Sequence, residues 1–264
     1  MQLQFYKYQG AGNDFIVIDN RSGVFNSPSP KTVSKLCDRR FGIGADGLML
    51  LQLLDGYDFE MIYYNADGNP GSMCGNGGRC IAAFAHFLGI VEKETKFMAV
   101  DGEHETKIPV SDFVELKMVK VHDIFLSESH CYLNTGSPHD IRFVENADEV
   151  DVFNTGRNIR YNEPYRLKGV NVNFVEITDK NCLKVYTYER GVENETLACG
   201  TGVTASALAY FLQKTDKKEG FHKIEITVKG GKLSVHFQFQ NEEFSDIWLC
   251  GPAVQVFEGI IELS

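Results

Sequence analysis

Apolar and polar residues alternate along much of the 264-residue chain. Alternation with a period of two is typical of strands that bury one face. It predicts strands at LQFYKY, DFIVID, LMLLQLL, DFEMIYYN, FVELKMV, NVNFVEI, CLKVYTYE, KIEITVKGGKLSVHFQF and IWLCG. The KGG of the longest of these segments, residues 229–231, predicts a hairpin turn within it.

Helical periodicity is confined to a few segments of the chain. The apolar spacing predicts helices over residues 30–40, 78–90, 146–160 and 202–214. Because these helices and the strands mix without strict alternation, the pattern indicates an α+β fold rather than a doubly wound one.

The two halves of the chain resemble each other around a cysteine. CGNGGRCIAAFAHFL, which begins at Cys74, aligns with CGTGVTASALAYFL, which begins at Cys199, and the same register places Asn65 on Arg190. The period is too long for a solenoid. The repeat therefore predicts two pseudo-symmetric lobes, residues 1–120 and 121–253, each a mostly antiparallel sheet or barrel wrapped around a central helix.

Composition excludes several classes of function. The formal net charge of −10, without a dense basic patch, argues against a nucleic-acid partner. The 43% hydrophobic content supports a large core, but no apolar run is long enough to cross a bilayer. MQLQFYKYQG lacks the basic start and apolar stretch of a secretion signal. We therefore expect a cytoplasmic protein without a membrane partner.

The sequence offers no motif for a metal or cofactor. Seven cysteines without a CxxC pair and scattered histidines predict neither a disulfide framework nor a zinc site. GIGADG, residues 42–47, matches the dinucleotide pattern but follows a helical segment and precedes a strand, the reverse of the required order. We expect no metal and no cofactor.

Chemistry is predicted at the two repeated turns. Each cysteine stands just before a helix, where unpaired N–H groups and the helix dipole favour an anion and promote loss of the thiol proton. The following Gly75-Asn76 and Gly200-Thr201 offer main-chain donors to a carboxylate.

Two equivalent cysteines that face each other across a cleft suit inversion of a stereocentre. One removes a proton from carbon while the other delivers a proton to the opposite face. A lone cysteine is more often a small, inert core residue. That is the interpretation for the cysteines outside the repeat, namely Cys37, Cys80, Cys131, Cys182 and Cys250.

The chain resembles the diaminopimelate epimerase family from end to end. The matching segments, in chain order, are GAGNDF, GIGADG, NADG, MCGNGGRC, GSPH, NVNF, ERG, ACGTG and GPA. The resemblance implies a two-lobed epimerase that interconverts LL- and meso-2,6-diaminopimelate without pyridoxal phosphate, in the synthesis of lysine and of peptidoglycan precursors. It also implies that the tail, residues 254–264, returns to the first lobe.

The resemblance also implies roles for single residues. Cys74 and Cys199 match the acid and base pair, and His139 and Glu189 match residues that tune the cysteine pKa values. The residues that match contacts to the reacting carboxylate are Gly75, Asn76, Gly200 and Thr201. The residues that match other substrate contacts are Asn13, Asn65, Asn171, Glu189 and Arg190, and, more weakly, Gly47 and Ser137.

Three features depart from the family pattern. Ser137 stands in GSPH where members often have Asn, and Gly47 stands where some have Gln. The segment VENETL, residues 192–197, makes the chain one residue longer between ERG and ACGTG than the common pattern. These departures bear on the substrate contacts more than on the chemistry.

The sequence leaves alternatives open. A cofactor-independent racemase of the proline racemase type would also pair two cysteines, whereas an isomerase of the phenazine-biosynthesis type lacks the pair. A non-catalytic amino acid binding protein is a third alternative. Also open are which cysteine is the base for which isomer, whether the protein is a homodimer, and how far the lobes close.

Overall fold

The computed structural model describes residues 1–71 and 73–263. The chain forms two compact units. The first consists of Met1–Leu116 together with the segment that begins at Gly251, and the second consists of Lys117–Cys250. The lobe boundaries drawn from the sequence stay a prediction, and residue 264 of the tail lies outside the described residues.

The first unit is a sheet with two helices along its chain. In spatial order its strands are β17 (Val254–Glu262), β1 (Gln2–Gly10), β2 (Asn13–Asp19), β3 (Gly47–Gln52), β4 (Phe59–Asn65), β5 (Glu94–Ala99), β6 (Gly102–Val110) and β7 (Phe113–Lys117). Its helices are α1 (Pro30–Cys37) and α2 (Gly75–Phe87). The pairs β2–β3 and β4–β5 are parallel, and the others are antiparallel.

The second unit repeats this arrangement. Its strands follow the order β8 (His122–Leu126), β9 (Cys131–Asn134), β10 (Pro138–Val144), β11 (Asn171–Asp179), β12 (Cys182–Glu189), β14 (Gly220–Val228), β15 (Gly231–Gln240) and β16 (Glu243–Pro252). A short strand, β13 (Asn194–Thr196), pairs with β12. The helices are α3 (Val152–Tyr161), preceded by the 3₁₀ turn Ala147–Glu149, and α4 (Gly200–Lys214).

The two units share one order of strand directions. The parallel pairs of the second unit, β10–β11 and β12–β14, take the same places as β2–β3 and β4–β5 of the first. In each unit the first parallel connection contains α1 or α3, and the second contains α2 or α4. Parallel neighbours require such crossovers. The predicted α+β fold with two pseudo-symmetric halves is confirmed.

Each sheet curls around one buried helix. In α2 the residues from Gly75 to Ala85 are all buried, and the helix contacts β17 at one end of the strand order and β6 next to the other end. The helix α4 is likewise enclosed and packs against β9–β12, β14 and β15. A helix that is apolar all round needs such a setting. Nowhere in residues 1–71 and 73–263 is a helix long and apolar enough to cross a membrane.

The helix boundaries differ from those expected. The helices α2 and α4 begin earlier than predicted, at Gly75 and Gly200. Their first turns are rich in glycine and carry no apolar periodicity, so the sequence pattern did not indicate these starts. The helix α1 ends at Cys37, where the Asp38 carboxylate accepts hydrogen bonds from the next residues' N–H groups and starts a turn. The segment 146–160 divides because Asp151 caps a new helix there.

Candidate active site

Cys74 and Cys199 occupy the N-cap positions of the two buried helices. Both have an extended backbone, with φ of −111° and −117°. At α1 and α3 the N-cap side chains of Ser29 and Asp151 accept a main-chain N–H, but among the described residues neither sulfur caps its own helix this way. The first-turn N–H groups of α2 and α4 therefore keep their preference for an anion.

Asn13 links Cys74 to the first turn of α2. At the start of β2, its side-chain Oδ1 lies 3.5 Å from Cys74 Sγ and accepts a 3.4 Å hydrogen bond from Asn76 Nδ2. Its Nδ2 donates to Asp46 Oδ2 at 2.6 Å. The structure thus brings three of the predicted site residues, Asn13, Cys74 and Asn76, together.

A cluster of charged side chains supports Asn13. Arg39 binds Asp14 through two hydrogen bonds of 2.9 and 2.6 Å and reaches Asp46 at 2.7 Å. The buried Lys7 Nζ lies 2.7 Å from Asp14 Oδ2. Burial acts to raise the pKa of Asp14, but the hydrogen bonds from Arg39 and Lys7 outweigh it and hold that pKa well below its usual range. The Asp14 carboxylate is thus held in its acceptor form.

Arg79 is a site residue that the sequence analysis missed. Its guanidinium is fully buried in α2 and donates to Gly75 O at 3.2 Å and to Asn76 Oδ1 at 2.8 Å. It therefore fixes the first turn that follows Cys74. The available signal was one charged residue inside the apolar stretch GGRCIAAF, because a charge is rarely buried without a specific role.

Gly47 and Asn65 face each other across β3 and β4, beside a tyrosine ring. A Cβ at Gly47 would lie 2.5 Å from Tyr63 Cε2, and a Cβ at Gly71 would lie 2.5 Å from Tyr63 Cδ1. The ring fills the space between the two glycines. Any side chain at position 47 would require Tyr63 to move. The Tyr63 ring therefore fills the space that a larger residue at position 47 would occupy.

In the second unit, His139 connects to Cys199 through Thr201. The buried imidazole Nε2 lies 2.9 Å from Thr201 Oγ1, which lies 3.5 Å from Cys199 Sγ. Burial, helped by the charge of Arg190, lowers the pKa of His139 to about 3. His139 is therefore neutral near pH 7.

Asn173 is a second residue that the sequence analysis missed. Its Nδ2 donates to His139 Nδ1 at 3.0 Å and to Asp140 O at 3.3 Å, and its Oδ1 accepts from Thr187 Oγ1 at 2.9 Å. A Cβ at Gly202 would lie 2.4 Å from Asn173 Oδ1, so this glycine lets α4 approach. The available signal was the second Asn of NVNF, because an Asn that is fully buried in a strand needs hydrogen-bond partners.

The Asn171 side chain, at the start of β11, bonds to residues at the end of β12 and the start of β10. Its Oδ1 accepts from the Arg190 N–H at 2.8 Å, and its Nδ2 donates to Ser137 Oγ at 2.9 Å and to Pro138 O at 3.1 Å. Asn171, Ser137 and the Arg190 backbone thus form one group. The amide is engaged within the unit, so the substrate contact expected of Asn171 stays a prediction.

Glu189 and Arg190 end β12 in different surroundings. Glu189 Oε2 accepts from Thr196 Oγ1 at 2.9 Å, and burial raises the pKa of this carboxyl despite that hydrogen bond. The Arg190 side chain is exposed and donates one hydrogen bond of 3.0 Å to Lys168 O. An exposed guanidinium retains donors that can bind a carboxylate.

The comparisons with known proteins agree with each other. A family model described as diaminopimelate epimerase matches residues 5–121 and 131–256. The chain is 49% identical over 259 residues to a diaminopimelate epimerase of Flavobacterium psychrophilum, covering 98% of this chain and 100% of that one. It is 46% identical over 263 residues to the protein of the same name from Chlorobaculum tepidum, covering 96% and 99%.

More distant solved structures share the fold. A phenazine biosynthesis protein of the PhzF family from Bacillus anthracis matches all of both chains with a TM-score of 0.78 and 14% identity. A probable proline racemase from Agrobacterium radiobacter K84 matches 99% of this chain and 93% of that one, with a TM-score of 0.65 and 15% identity. At such low identity the likeness shows the fold alone.

Proposed function

Because the chain belongs to the diaminopimelate epimerase family, we propose that it is an isomerase that interconverts LL- and meso-2,6-diaminopimelate in the synthesis of lysine and of peptidoglycan precursors. The observation that carries the proposal is the pair Cys74 and Cys199, one at the N-cap of each buried helix. Two equivalent thiols suit inversion better than nucleophilic attack, which needs one activated thiol and a base.

The reaction is a pair of proton transfers at one α-carbon. The thiolate of one cysteine takes the α-hydrogen as a proton, and the electron pair of the broken C–H bond stays on the substrate. The thiol of the other cysteine gives its proton to the opposite face, forming the new C–H bond. The two sulfurs have then exchanged protonation states. General acid–base catalysis of this kind contributes roughly 10²–10⁴-fold in rate.

The helix termini stabilise the charge that develops on the substrate. Negative charge spreads from the α-carbon into the adjacent carboxylate, and the first-turn N–H groups of α2 and α4 donate to it. The residues that would supply these donors are Gly75, Asn76, Gly200 and Thr201. Arg79 holds the α2 turn in place through Gly75 O and Asn76 Oδ1.

Other residues bind the rest of the substrate. The exposed guanidinium of Arg190 suits the distal carboxylate, which it can hold through two parallel hydrogen bonds. The remaining proposed contacts are Asn13, Asn65, Ser137, Asn171 and Glu189. At Gly47 the Tyr63 ring occupies the space that a side chain would take. His139 acts through Thr201 rather than on the substrate.

We further propose that the enzyme works in the cytoplasm on this small molecule, with no nucleic-acid or membrane partner. The net charge of −10 supports the exclusion of a nucleic-acid partner. A homodimer is the alternative to a monomer, and light scattering of the purified protein distinguishes the two.

The activity of cysteine variants tests the proposed function. The epimerisation rate of diaminopimelate is expected to fall at least about 10²-fold in Cys74→Ala and in Cys199→Ala, because each change removes one proton carrier. Cys182→Ala, a strand cysteine outside the repeat, is the matched control and should retain activity. Turnover of free proline with none of diaminopimelate would support a proline racemase instead, and an unchanged rate in both variants would contradict any two-thiol reaction.

A further inference from the structure

The Arg190 side chain lies on a loop of the second unit, residues 162–169. Its Nη1 donates to Lys168 O at 3.0 Å, and a Cβ at Gly169 would lie 2.7 Å from Arg190 Cδ. Its main-chain N–H is bound separately, by Asn171 Oδ1 at 2.8 Å. The backbone of Arg190 is therefore held by β11, whereas the course of its side chain depends on the 162–169 loop.

Within this loop Gly169 is buried and Tyr165 is partly buried, whereas the other residues are exposed. The Tyr165 N–H donates to Asn162 O at 2.9 Å, and the Gly169 N–H donates to Tyr165 O at 2.7 Å. A segment with few buried contacts opens easily by local unfolding. The packing of the loop on the rest of the unit therefore depends mostly on Tyr165 and Gly169.

The Tyr165 side chain anchors the loop to a buried carboxylate. Its hydroxyl donates to Asp140 Oδ2 at 2.9 Å, and Asp140, on β10, is fully buried. Arg142 Nε donates to the other oxygen, Asp140 Oδ1, at 2.8 Å. Burial, together with the charge of Asp140, raises the pKa of Tyr165, so the phenol keeps the proton that it donates. The Tyr165 ring also stacks on Tyr132, with centroids 6.2 Å apart. A hydrogen bond to a charged acceptor is stronger than one between neutral groups.

A second arginine packs against the same glycine. A Cβ at Gly169 would lie 2.6 Å from Arg160 Cζ, so Arg160 and Arg190 both border Gly169. The Arg160 side chain is only 14% exposed, and its Nη2 lies 3.6 Å from Glu193 Oε1. Because Arg160 fills the inner space beside Gly169 and carries the same charge, an inward course of Arg190 is disfavoured there. The Arg190 guanidinium is left at the exposed side of the loop, where a carboxylate can bind.

We propose, building on the epimerase function above, that Tyr165 is a positioning residue for the carboxylate contact of Arg190. The hydroxyl bond of Tyr165 to Asp140 fixes the 162–169 loop. The loop in turn fixes the Arg190 guanidinium through Lys168 O. The distal carboxylate of the substrate then meets a guanidinium whose conformation is already set, so less side-chain entropy is lost on binding. Tyr165 therefore acts on substrate binding and not on the proton transfers.

Steady-state kinetics of Tyr165→Phe test this role, because the variant keeps the stacked ring and loses the bond to Asp140. The KM for diaminopimelate is expected to rise about ten-fold, as for the loss of one hydrogen bond to a charged group, while kcat changes less than about three-fold. Tyr186→Phe is the matched control, because the Tyr186 hydroxyl donates to the exposed Asp148 at 2.6 Å. Its KM should stay at the wild-type value. An unchanged KM in Tyr165→Phe, or an equal rise in Tyr186→Phe, would overturn the proposal.

Hydrogen–deuterium exchange without substrate tests the anchoring of the loop. The Gly169 N–H, which is bound to Tyr165 O, is expected to exchange about ten-fold faster in Tyr165→Phe than in the wild type, because the loop opens more often. Peptides of β12, which ends just before Arg190, should exchange at the same rate in both proteins. Equal exchange of the Gly169 N–H would show that the hydroxyl does not hold the loop. Faster exchange in β12 as well would show a general loosening of the unit, and either result would refute the proposal.

Gly169→Ala tests the second contact of the loop with Arg190. A methyl group there would lie 2.7 Å from Arg190 Cδ and displace the side chain, so the KM is expected to rise at least about ten-fold. Gly89→Ala is the matched control for backbone strain. Gly89 has a φ of 70°, close to the 72° of Gly169, but the described part of the chain places no atom within 4 Å of its Cβ position apart from its own neighbours. A KM that is unchanged in Gly169→Ala, or equally raised in Gly89→Ala, would contradict the role of the loop.

Failure of this inference and failure of the proposed function are distinguishable. Hydrogen exchange is measured without substrate, whereas the function is measured as turnover of diaminopimelate. Wild-type turnover with an unchanged KM in Tyr165→Phe would refute the positioning role alone. A wild-type protein that does not epimerise diaminopimelate would refute the proposed function and, with it, the carboxylate contact that Tyr165 is proposed to position.

Discussion

At the residue scale, the positions that matter most are polar side chains whose partners lie far away in the chain. Asn13 meets Asp46 across 33 positions, and His139 meets Asn173 across 34. The sequence repeat could indicate both cysteines, because their turns are alike. It could not indicate Arg79, because the second turn has Thr204 at the equivalent position. It could not indicate Asn173 either, because the partners of Asn173 depend on which strands lie side by side.

The buried His139 makes stability depend on pH. Its pKa is about 3 in the folded chain and about 6.5 when exposed, so below pH 6.5 the unfolded chain binds a proton that the folded chain does not. Stability from this group is therefore present above pH 6.5 and is lost as pH falls towards 3. At pH 5 the loss is roughly 2 kcal/mol.

His139→Gln tests this dependence by urea unfolding at pH 7.5 and pH 5. The drop in unfolding free energy between the two pH values should be about 2 kcal/mol smaller in the variant. Asp14 also loses its stabilising ionisation at low pH, but it is common to both proteins. Equal drops would contradict the burial of a neutral imidazole.

The contact between Gly47 and Tyr63 predicts a coupled pair. Gly47→Ala places a methyl group 2.5 Å from the Tyr63 ring and is expected to cost about 1–3 kcal/mol of unfolding free energy. In a Tyr63→Ala background the same change should cost much less, because the ring is gone. Denaturant unfolding of the four proteins measures the coupling, and additive costs would show that the ring does not limit position 47.

At the element scale, alternation predicted many of the strands with one buried face, but it missed the exposed strand β8 and the short strand β9. The strand β12 spans the predicted CLKVYTYE, residue for residue, because its apolar side chains alternate inward. The strand β8 was missed because its five residues are all exposed, so packing leaves no pattern in the sequence. The starts of α2 and α4 were missed because glycine and polar residues serve the site there rather than the core.

Equivalent glycines in α2 and α4 provide a matched pair of substitutions. Gly202→Ala puts a Cβ 2.4 Å from Asn173 Oδ1, which is held by its hydrogen bonds. We expect a loss of about 1–3 kcal/mol in stability. At Gly77 the nearest atoms are Met49 Sδ at 3.3 Å and Met61 Cε at 3.4 Å, which are flexible.

Gly77→Ala is therefore the control and should change stability by less than about 1 kcal/mol, since alanine also favours the helix. Thermal unfolding of both variants gives the comparison. A cost at Gly77 equal to that at Gly202 would argue against the role of Asn173 in seating α4.

At the scale of the whole molecule, the sequence repeat reappears as one order of strands in both units. Asn65 ends β4 and Arg190 follows β12, and these two strands hold the same place in their sheets. The alignment of Cys74 with Cys199 was enough to predict that Asn65 and Arg190 take equivalent places. The tail strand β17 carried a weaker signal, but its pairing with β1 completes the first unit. The repeated fold gives two helix N-termini of equal kind, each with a cysteine at its N-cap.

The most direct measurement of the two-thiol account follows the solvent isotope during the first turnovers in deuterated water. Because separate sulfurs remove and return the proton, product formed at low conversion should carry one deuterium at the inverted α-carbon, while recovered LL-diaminopimelate carries almost none. Deuterium entering the recovered substrate as fast as the product would indicate a single base that serves both faces. Product that retains the original hydrogen would contradict the account outright.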